Sequence, residues 1–409
     1  LTAIHASDEL RKAKRMQVPA TVNVLAPLFT PIVLPGGLTL KNRIAMLPMT
    51  RARAEIDGTP SNLMVEYYRQ RAGAGLIITE STVVSEVGRG FLNGPGMYTT
   101  EHAIGWRKVV DAVHAEGGKI ILQLNHVGRV NNLQHLRRAV PPIAPSPVRI
   151  PRNSRKITIN IPRVTPYDVP RAIETEEAPL IANEFARATR LAAFAGFDGV
   201  QVHSDSGYLL HQFLSTNVNQ RQDRYGGSPE NRCRMTLEVL DAVIAVNGPN
   251  YVSIKLTPGL DVHDIEEDDI PEKYAYLVDQ LNQRSGLAFL HLYFNELLSS
   301  DVFAAMRARF SGIVLAEGSL RPQQYCEMLA DGRLDFTGVG RPFIANPDYI
   351  ERLRNGWTLS RSDPETIYSP GAEGYTDYPV WNPDDPESSV FGLEFAKDTN
   401  ALLKAEAQV

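Results

Sequence analysis

Apolar residues fall into eight short runs along the chain: RIAML (43–47), GLIIT (75–79), KIILQL (119–124), DGVQV (198–202), YVSIKL (251–256), LAFLHL (287–292), GIVLAE (312–317) and LDFTGV (334–339). They are rich in Ile, Val and Leu and too short for helices. Near-continuous apolar character over so few residues fits strands buried on both faces, as in a parallel sheet.

Helical patterns fill most of the gaps. TTEHAIGWRKVVDAVHAEGG opens on Thr and Glu and closes on Gly, a sensible start and stop. LIANEFARATRLAAFAGF has apolar residues at helical spacing and reaches Gly196 at its end, and SPENRCRMTLEVLDAVIAVNG begins with a Ser-Pro cap and first turn and stops at Gly248. DIPEKYAYLVDQLNQRSG and RPQQYCEMLADG repeat the design. Strand and helix alternating eight times predict an α/β fold, a single (β/α)8 TIM barrel. An open doubly wound sheet would carry a Gly-rich fingerprint after its first strand, and RIAMLPMTRARA has none.

One insertion breaks the rhythm. Between strands three and four runs VPPIAPSPVRIPRNSRKITINIPRVTPYDVPRAIETEEAP, whose prolines forbid a continuous helix. Within it RKITINI alternates as an edge strand would. A long loop at the catalytic end of a barrel is expected to act as a lid. The organisation expected is an N-terminal extension (1–25), the barrel (26–380) and a C-terminal extension (381–409).

Composition narrows the function classes. Of 409 residues 43% are hydrophobic and 22% charged, with a net charge of −5. That balance offers no general attraction for nucleic acid or an anionic membrane. The basic stretch RKAKR near the start reads as a solvated tail. Cys233 and Cys326 lie in no C-x-x-C or Cys/His ligand pattern, so they read as reduced thiols of a cytoplasmic protein. No run is long enough to span a bilayer. The first thirty residues lack the apolar stretch of a signal peptide. Monomer and homodimer both remain open.

The active site of such a barrel lies at the carboxyl ends of its strands. Those ends deliver Pro48, Met49 and Thr50; Thr79 and Glu80; Gln123, Asn125 and His126; His203, Ser206 and Tyr208; Lys255; Gly318 and Ser319; and Gly340 and Arg341. Polar groups from many strands thus converge on one mouth. The loops after strands seven and eight are the usual phosphate cradle of the fold, where glycines admit a ligand to the backbone and an arginine fork suits a phosphate. His203, Asp205 and His211 match no common metal spacing, and no metal is expected. Lys255 is open to two readings, a Schiff-base lysine or a cation beside an anionic cofactor ring.

The constellation resembles the Old Yellow Enzyme family of FMN-dependent ene reductases. The likeness runs over NRIAMLPMTR, EYYRQRAGAGLIITE, GGKIILQLNHVGR, AGFDGVQVHSDSGYLLHQFLS, DRYGGSPENRCR and GRPFIANPD. It implies bound FMN, touched by Pro48, Met49 and Ala74 through backbone groups. Thr50 would meet a flavin carbonyl, Gln123 the pyrimidine edge, and Lys255 the ring near N1. Gly318, Ser319, Gly340 and Arg341 would hold the phosphate. It implies His203 as the donor to a substrate carbonyl or nitro oxygen, Tyr208 as proton donor, and Tyr375 as the aromatic closing the pocket. The implied reaction is NADPH-driven reduction of the activated C=C bond of an α,β-unsaturated carbonyl compound.

Three departures from the family pattern alter that expectation. Ser206 stands where the family has Asn or a second His, Lys255 where it has Arg, and Asn125 where it has Trp. A hydroxyl donates once and reaches less far than an amide, and a lysine lacks the planar fork. Losing one oxyanion donor costs about 2.7–4 kcal/mol of barrier in acyl transfer, which sets the scale. The changes predict a substrate larger or more polar than simple enones, in a specialised biosynthetic step. The rival is the same flavin site used for a non-reductive isomerisation or cyclisation.

Overall fold

A computed structural model describes residues 24–131, 141–151, 167–293 and 300–391. Eight parallel strands close on themselves: β1 (Ile44–Met46), β2 (Leu76–Ile78), β3 (Ile120–Asn125), β4 (Gly199–Ser204), β5 (Val252–Leu256), β6 (Phe289–Tyr293), β7 (Val314–Glu317) and β8 (Phe336–Val339). Each pairs in parallel with the next, and β8 returns to β1 through Gly338↔Ala45. The (β/α)8 barrel expected from the eight apolar runs is the fold.

The outer helices begin and end where local chemistry dictates. Helix α1 (Asn62–Gln70) is capped by Ser61, α2 (Thr100–Ala115) by Thr99, and the helix Pro229–Asn247 by Ser228, each side chain accepting a backbone N–H of the first turn. The helix Ala178–Ala195 stops at Gly196, whose φ of 91° few other residues adopt.

Strand alternation divides the core in two. Ile120, Leu122, Leu124, Val200, Val202, Ile254, Leu290, Val314 and Ala316 face outward into the layer between sheet and helices. Ala45, Leu76, Ile78, Ile121, Phe289, Leu315 and Phe336 point inward and fill the amino end of the barrel. A small hairpin, Ile32–Val33 against Thr39–Leu40, plugs that end with Ile32, Leu34 and Leu40. The barrel floor is therefore apolar and closed, so ligands can enter only from the opposite end.

The stretch RKITINI lies outside the described residues. On the flanks of the insertion, Ile143–Ala144 pairs with Arg171–Ala172. Ile150 and Tyr167 pack with Val127, Val130 and Tyr208 in one apolar cluster. Residues 379–391 fold back on the last barrel helix (Tyr349–Asn355): Arg352 donates to the carbonyls of Pro379 and Ser389, and Asp348 accepts from Trp381 N–H. No described helix is long and apolar enough to cross a membrane.

Candidate active site

Above the apolar floor the same inward positions turn polar. Gln123 and Gln201 are register partners, as are Lys255 and His203, and Lys255 and His291. Gln123 Nε2 donates to Gln201 Oε1 at 2.9 Å, and Gln201 Nε2 meets His291 Nδ1 at 3.2 Å. His291 Nδ1 must then accept, which puts the ring proton on Nε2, 3.4 Å from Glu317 Oε2. Burial holds this imidazole below its ordinary pKa.

Lys255 sits between two carboxylates, with Nζ 2.7 Å from Glu317 Oε1 and 3.1 Å from Asp205 Oδ2. Burial alone would lower its pKa, but Asp205 and Glu317 outweigh it and hold the ammonium above its usual range. Burial would likewise raise Glu317, yet Lys255 and His291 bring it down to about 2. Asp205 is fully buried and pairs through its other oxygen with His203 Nε2. His203 and Lys255 overcome its desolvation and pull it well below the carboxylate range.

A tight turn follows β4. The Tyr208 N–H donates to the Asp205 carbonyl at 3.1 Å, and Ser206 and Gly207 have φ of 52° and 74°. Two positive φ values in succession are the mark of a type I′ turn. A Cβ at Gly207 would lie 2.9 Å from both His263 Cβ and the Val262 carbonyl oxygen, so glycine is required there. The turn brings the Tyr208 ring edge-on to His203, with 5.1 Å between centroids. On its other side Tyr208 tilts against His263 at 5.5 Å. Burial and the Asp205 charge push the Tyr208 phenol well above its ordinary pKa, so it keeps its proton.

Most residues named from the sequence stand at or just beyond the carboxyl ends of the strands. Pro48, Met49 and Thr50 are half-buried at the end of β1, and Gly318, Ser319, Gly340 and Arg341 lie half-buried or exposed after β7 and β8. Asn125 donates to Ser81 Oγ at 2.6 Å. His211, weighed as a metal ligand, is instead held by Glu267 and the Gly207 N–H.

Two residues fall elsewhere. Ala74 precedes β2, which begins at Leu76, and so lies at the amino end of the barrel, opposite the mouth; at the carboxyl end of that strand stands Ser81. Tyr375, expected over the pocket, is fully buried, stacked on Tyr67 at 4.1 Å and flanked by the guanidiniums of Arg51 and Arg53. Those arginines also bind carbonyls of residues 366–374, so the cluster fastens the C-terminal segment to the barrel. In the same segment Tyr368 is 39% exposed, and the charges of Arg341 and Arg51 reach its phenol.

Asp205, Gln201, His291, Glu317, His263 and Tyr368 were not singled out as flavin-site or pocket residues from the sequence. Alternation could have found three of them. With Val200 and Val202 outward, Gln201 must point inward, and the same count places His291 and Glu317 inside.

Comparisons with known proteins give the family and the fold. The model of a family described as NADH:flavin oxidoreductase / NADH oxidase matches residues 27–360. A probable flavin mononucleotide-dependent alkene reductase of Leishmania infantum is 39% identical over 354 residues, covering 85% of this chain and 96% of that protein. The 12-oxophytodienoate reductase 1 of Oryza sativa subsp. japonica is 37% identical, covering 91% and 98%. Among solved structures, morphinone reductase in complex with tetrahydroNAD is 42% identical with a TM-score of 0.82, covering 87% of this chain and 98% of that one.

Proposed function

The chain belongs to the NADH:flavin oxidoreductase / NADH oxidase family and is an ene reductase of the Old Yellow Enzyme type, and on that premise we propose that it reduces, with NADPH, an electron-poor alkene bulkier or more polar than a simple cyclic enone. The observation that carries the reading is the pairing of His203 and Tyr208 over a polar barrel layer, 5.1 Å apart. One group binds the substrate oxygen and the other holds a proton.

The residues fit FMN. Gln123 Oε1 and Asn125 Oδ1 are buried without a hydrogen-bond partner among the described residues, a costly state unless a ligand supplies donors. Gln123 would hold the pyrimidine edge of the ring, with Lys255 close by. Pro48, Met49, Thr50 and Ser81 would border the ring, and Gly318, Ser319, Gly340 and Arg341 the phosphate. When bound, FMN supplies the two-electron chemistry between a reduced nicotinamide and the alkene.

His203 binds the substrate oxygen and draws charge from the double bond, as an oxyanion donor does. Ser206 lies in the same turn. Tyr208 gives its proton to the α-carbon. Tyr368 covers the ligand from the C-terminal segment, in the role the sequence reading gave Tyr375. Asn125 leaves space and a polar contact where a bulky indole would stand, which is why the substrate is placed in a specialised biosynthetic step.

The test is direct. The purified holoprotein should be yellow, bleach on anaerobic titration with NADPH, and recover its colour on adding an activated alkene. A colourless protein that takes up no added FMN sinks the reading. Product formed with no nicotinamide consumed points instead to isomerisation or cyclisation.

A further inference from the structure

The strand ends hold a charge pattern that the proposed reaction leaves unused. Asp205 is completely buried, and its two oxygens are divided between His203 Nε2 and Lys255 Nζ. Glu317 takes the other side of Lys255 and also faces His291. Two carboxylates against one ammonium leave an excess of negative charge before either imidazole is counted. A buried carboxylate is retained only where partners compensate its desolvation, and here both partners belong to the candidate site.

Two consequences follow from the geometry. A ring nitrogen facing a carboxylate carries its proton toward it, so His203 Nε2 is committed. Nε2 has the Asp205 carboxylate as its ion-pair partner, whereas the other ring atom, Nδ1, is buried with neither an ion-pair nor a hydrogen-bond partner among the described residues. It is the imidazole atom left for an incoming oxygen. It donates a hydrogen bond only when the ring holds both protons, and a charge-assisted donor is about twice as strong as a neutral one. Secondly, the Lys255 charge, which would favour electrons arriving on a nearby flavin, is already spent on Asp205 and Glu317.

We propose that Asp205 is a positioning residue that sets both halves of the site: it turns His203 so that Nδ1 meets the substrate oxygen, and with Glu317 it neutralises Lys255 and so lowers the reduction potential of the bound flavin. The proposal rests on the flavin reading above. A protein that binds no FMN would end that reading, whereas the variants below test Asp205 in a protein that does bind it.

The experiment compares FMN-loaded wild type, Asp205→Asn and Glu317→Gln. Flavin potentials are read by equilibration with a reference dye, and KM and kcat with cyclohexenone as probe. Both variants should favour reduced flavin at least tenfold more than wild type, a rise of about 30 mV for a two-electron couple. Asp205→Asn should also raise KM for the probe at least fivefold, and by clearly more than Glu317→Gln does. An unchanged potential in FMN-loaded Asp205→Asn overturns the proposal, and so does an equal rise of KM in both variants. Should Asp205→Asn fail to fold, nitrogen-15 NMR of the wild-type holoprotein decides: Nε2 of His203 must carry a proton, and a bare Nε2 overturns the assignment.

Discussion

His263 Nδ1 lies 2.8 Å from the carbonyl oxygen of Ser206. A carbonyl only accepts, so Nδ1 carries the ring proton and Nε2 is a lone pair, buried and without a hydrogen-bond partner among the described residues. The chain is left-handed at His263 and Asp264, with φ of 52° and 60°, and Arg129 Nη2 clamps both of their carbonyls. The wall behind Tyr208 is therefore built around a neutral imidazole.

Burial pushes His263 down to about 4, and burial does the same to His126. The unfolded chain takes up these protons near pH 6.5, ahead of the folded one, so stability rises with pH between about 4 and 6.5 and is lost on acidification through that window. Each ring contributes up to about 3 kcal/mol. Urea unfolding at pH 7, 5.5 and 4.5 should show the midpoint falling steadily, and the fall should shrink in His126→Gln. A midpoint that holds constant over this range contradicts the neutral, buried placement.

Tyr208 keeps its proton because burial and Asp205 oppose its ionisation. Tyr208→Phe removes that proton and little volume. We expect alkene reduction to slow by 10²–10⁴-fold, the usual contribution of a general acid, while anaerobic reduction of the flavin by NADPH changes less than threefold. Stopped-flow measurement of the two half-reactions separates these. Equal slowing of both would remove Tyr208 from the proton-donor role.

Tyr368 and Tyr375 should behave oppositely. Tyr375 is locked between Tyr67 and two guanidiniums, so Tyr375→Leu should cost about 3 kcal/mol of stability through lost packing and cation–π contacts. Its KM should barely move. Tyr368 is partly exposed, so Tyr368→Ala should cost less than about 1 kcal/mol but raise KM severalfold. Urea midpoints and steady-state kinetics on both variants decide which tyrosine covers the ligand.

The contrast between these tyrosines also marks where sequence reasoning stops. The eight strands were legible because burial on both faces leaves an unmistakable apolar run, and their carboxyl ends located Gln123, His203 and Tyr208 at once. Tyr368 and Tyr375 lie in a loop without period, and nothing local tells which one faces the mouth. Ala74 has the same cause: small residues stand just before GLIITE (Ala74) and just after it (Ser81), and only strand direction separates them. Asp205 was visible in HSDSGY, but its partner Lys255 lies 50 residues away, on the neighbouring strand. Such pairings are made by barrel closure and leave no trace in local spacing.

Ser206 offers the sharpest test of substrate preference. It occupies the first central position of a turn with positive φ at both centres. Asn-Gly is the preferred pair for such a turn, and Asn tolerates the left-handed region better than most residues. Ser206→Asn should therefore fold at least as well as wild type, with a melting temperature unchanged or raised. Its amide adds a longer donor beside His203. If the weak donor at Ser206 limits simple enones, kcat/KM for cyclohexenone should rise 10- to 1,000-fold, up to the scale of one oxyanion donor. Asn125→Trp, which refills the space beside the ring, should further favour small substrates over large ones. A stable Ser206→Asn protein with unchanged kcat/KM would mean that the substrate oxygen never approaches this turn, and the reshaped-pocket reading would have to be abandoned.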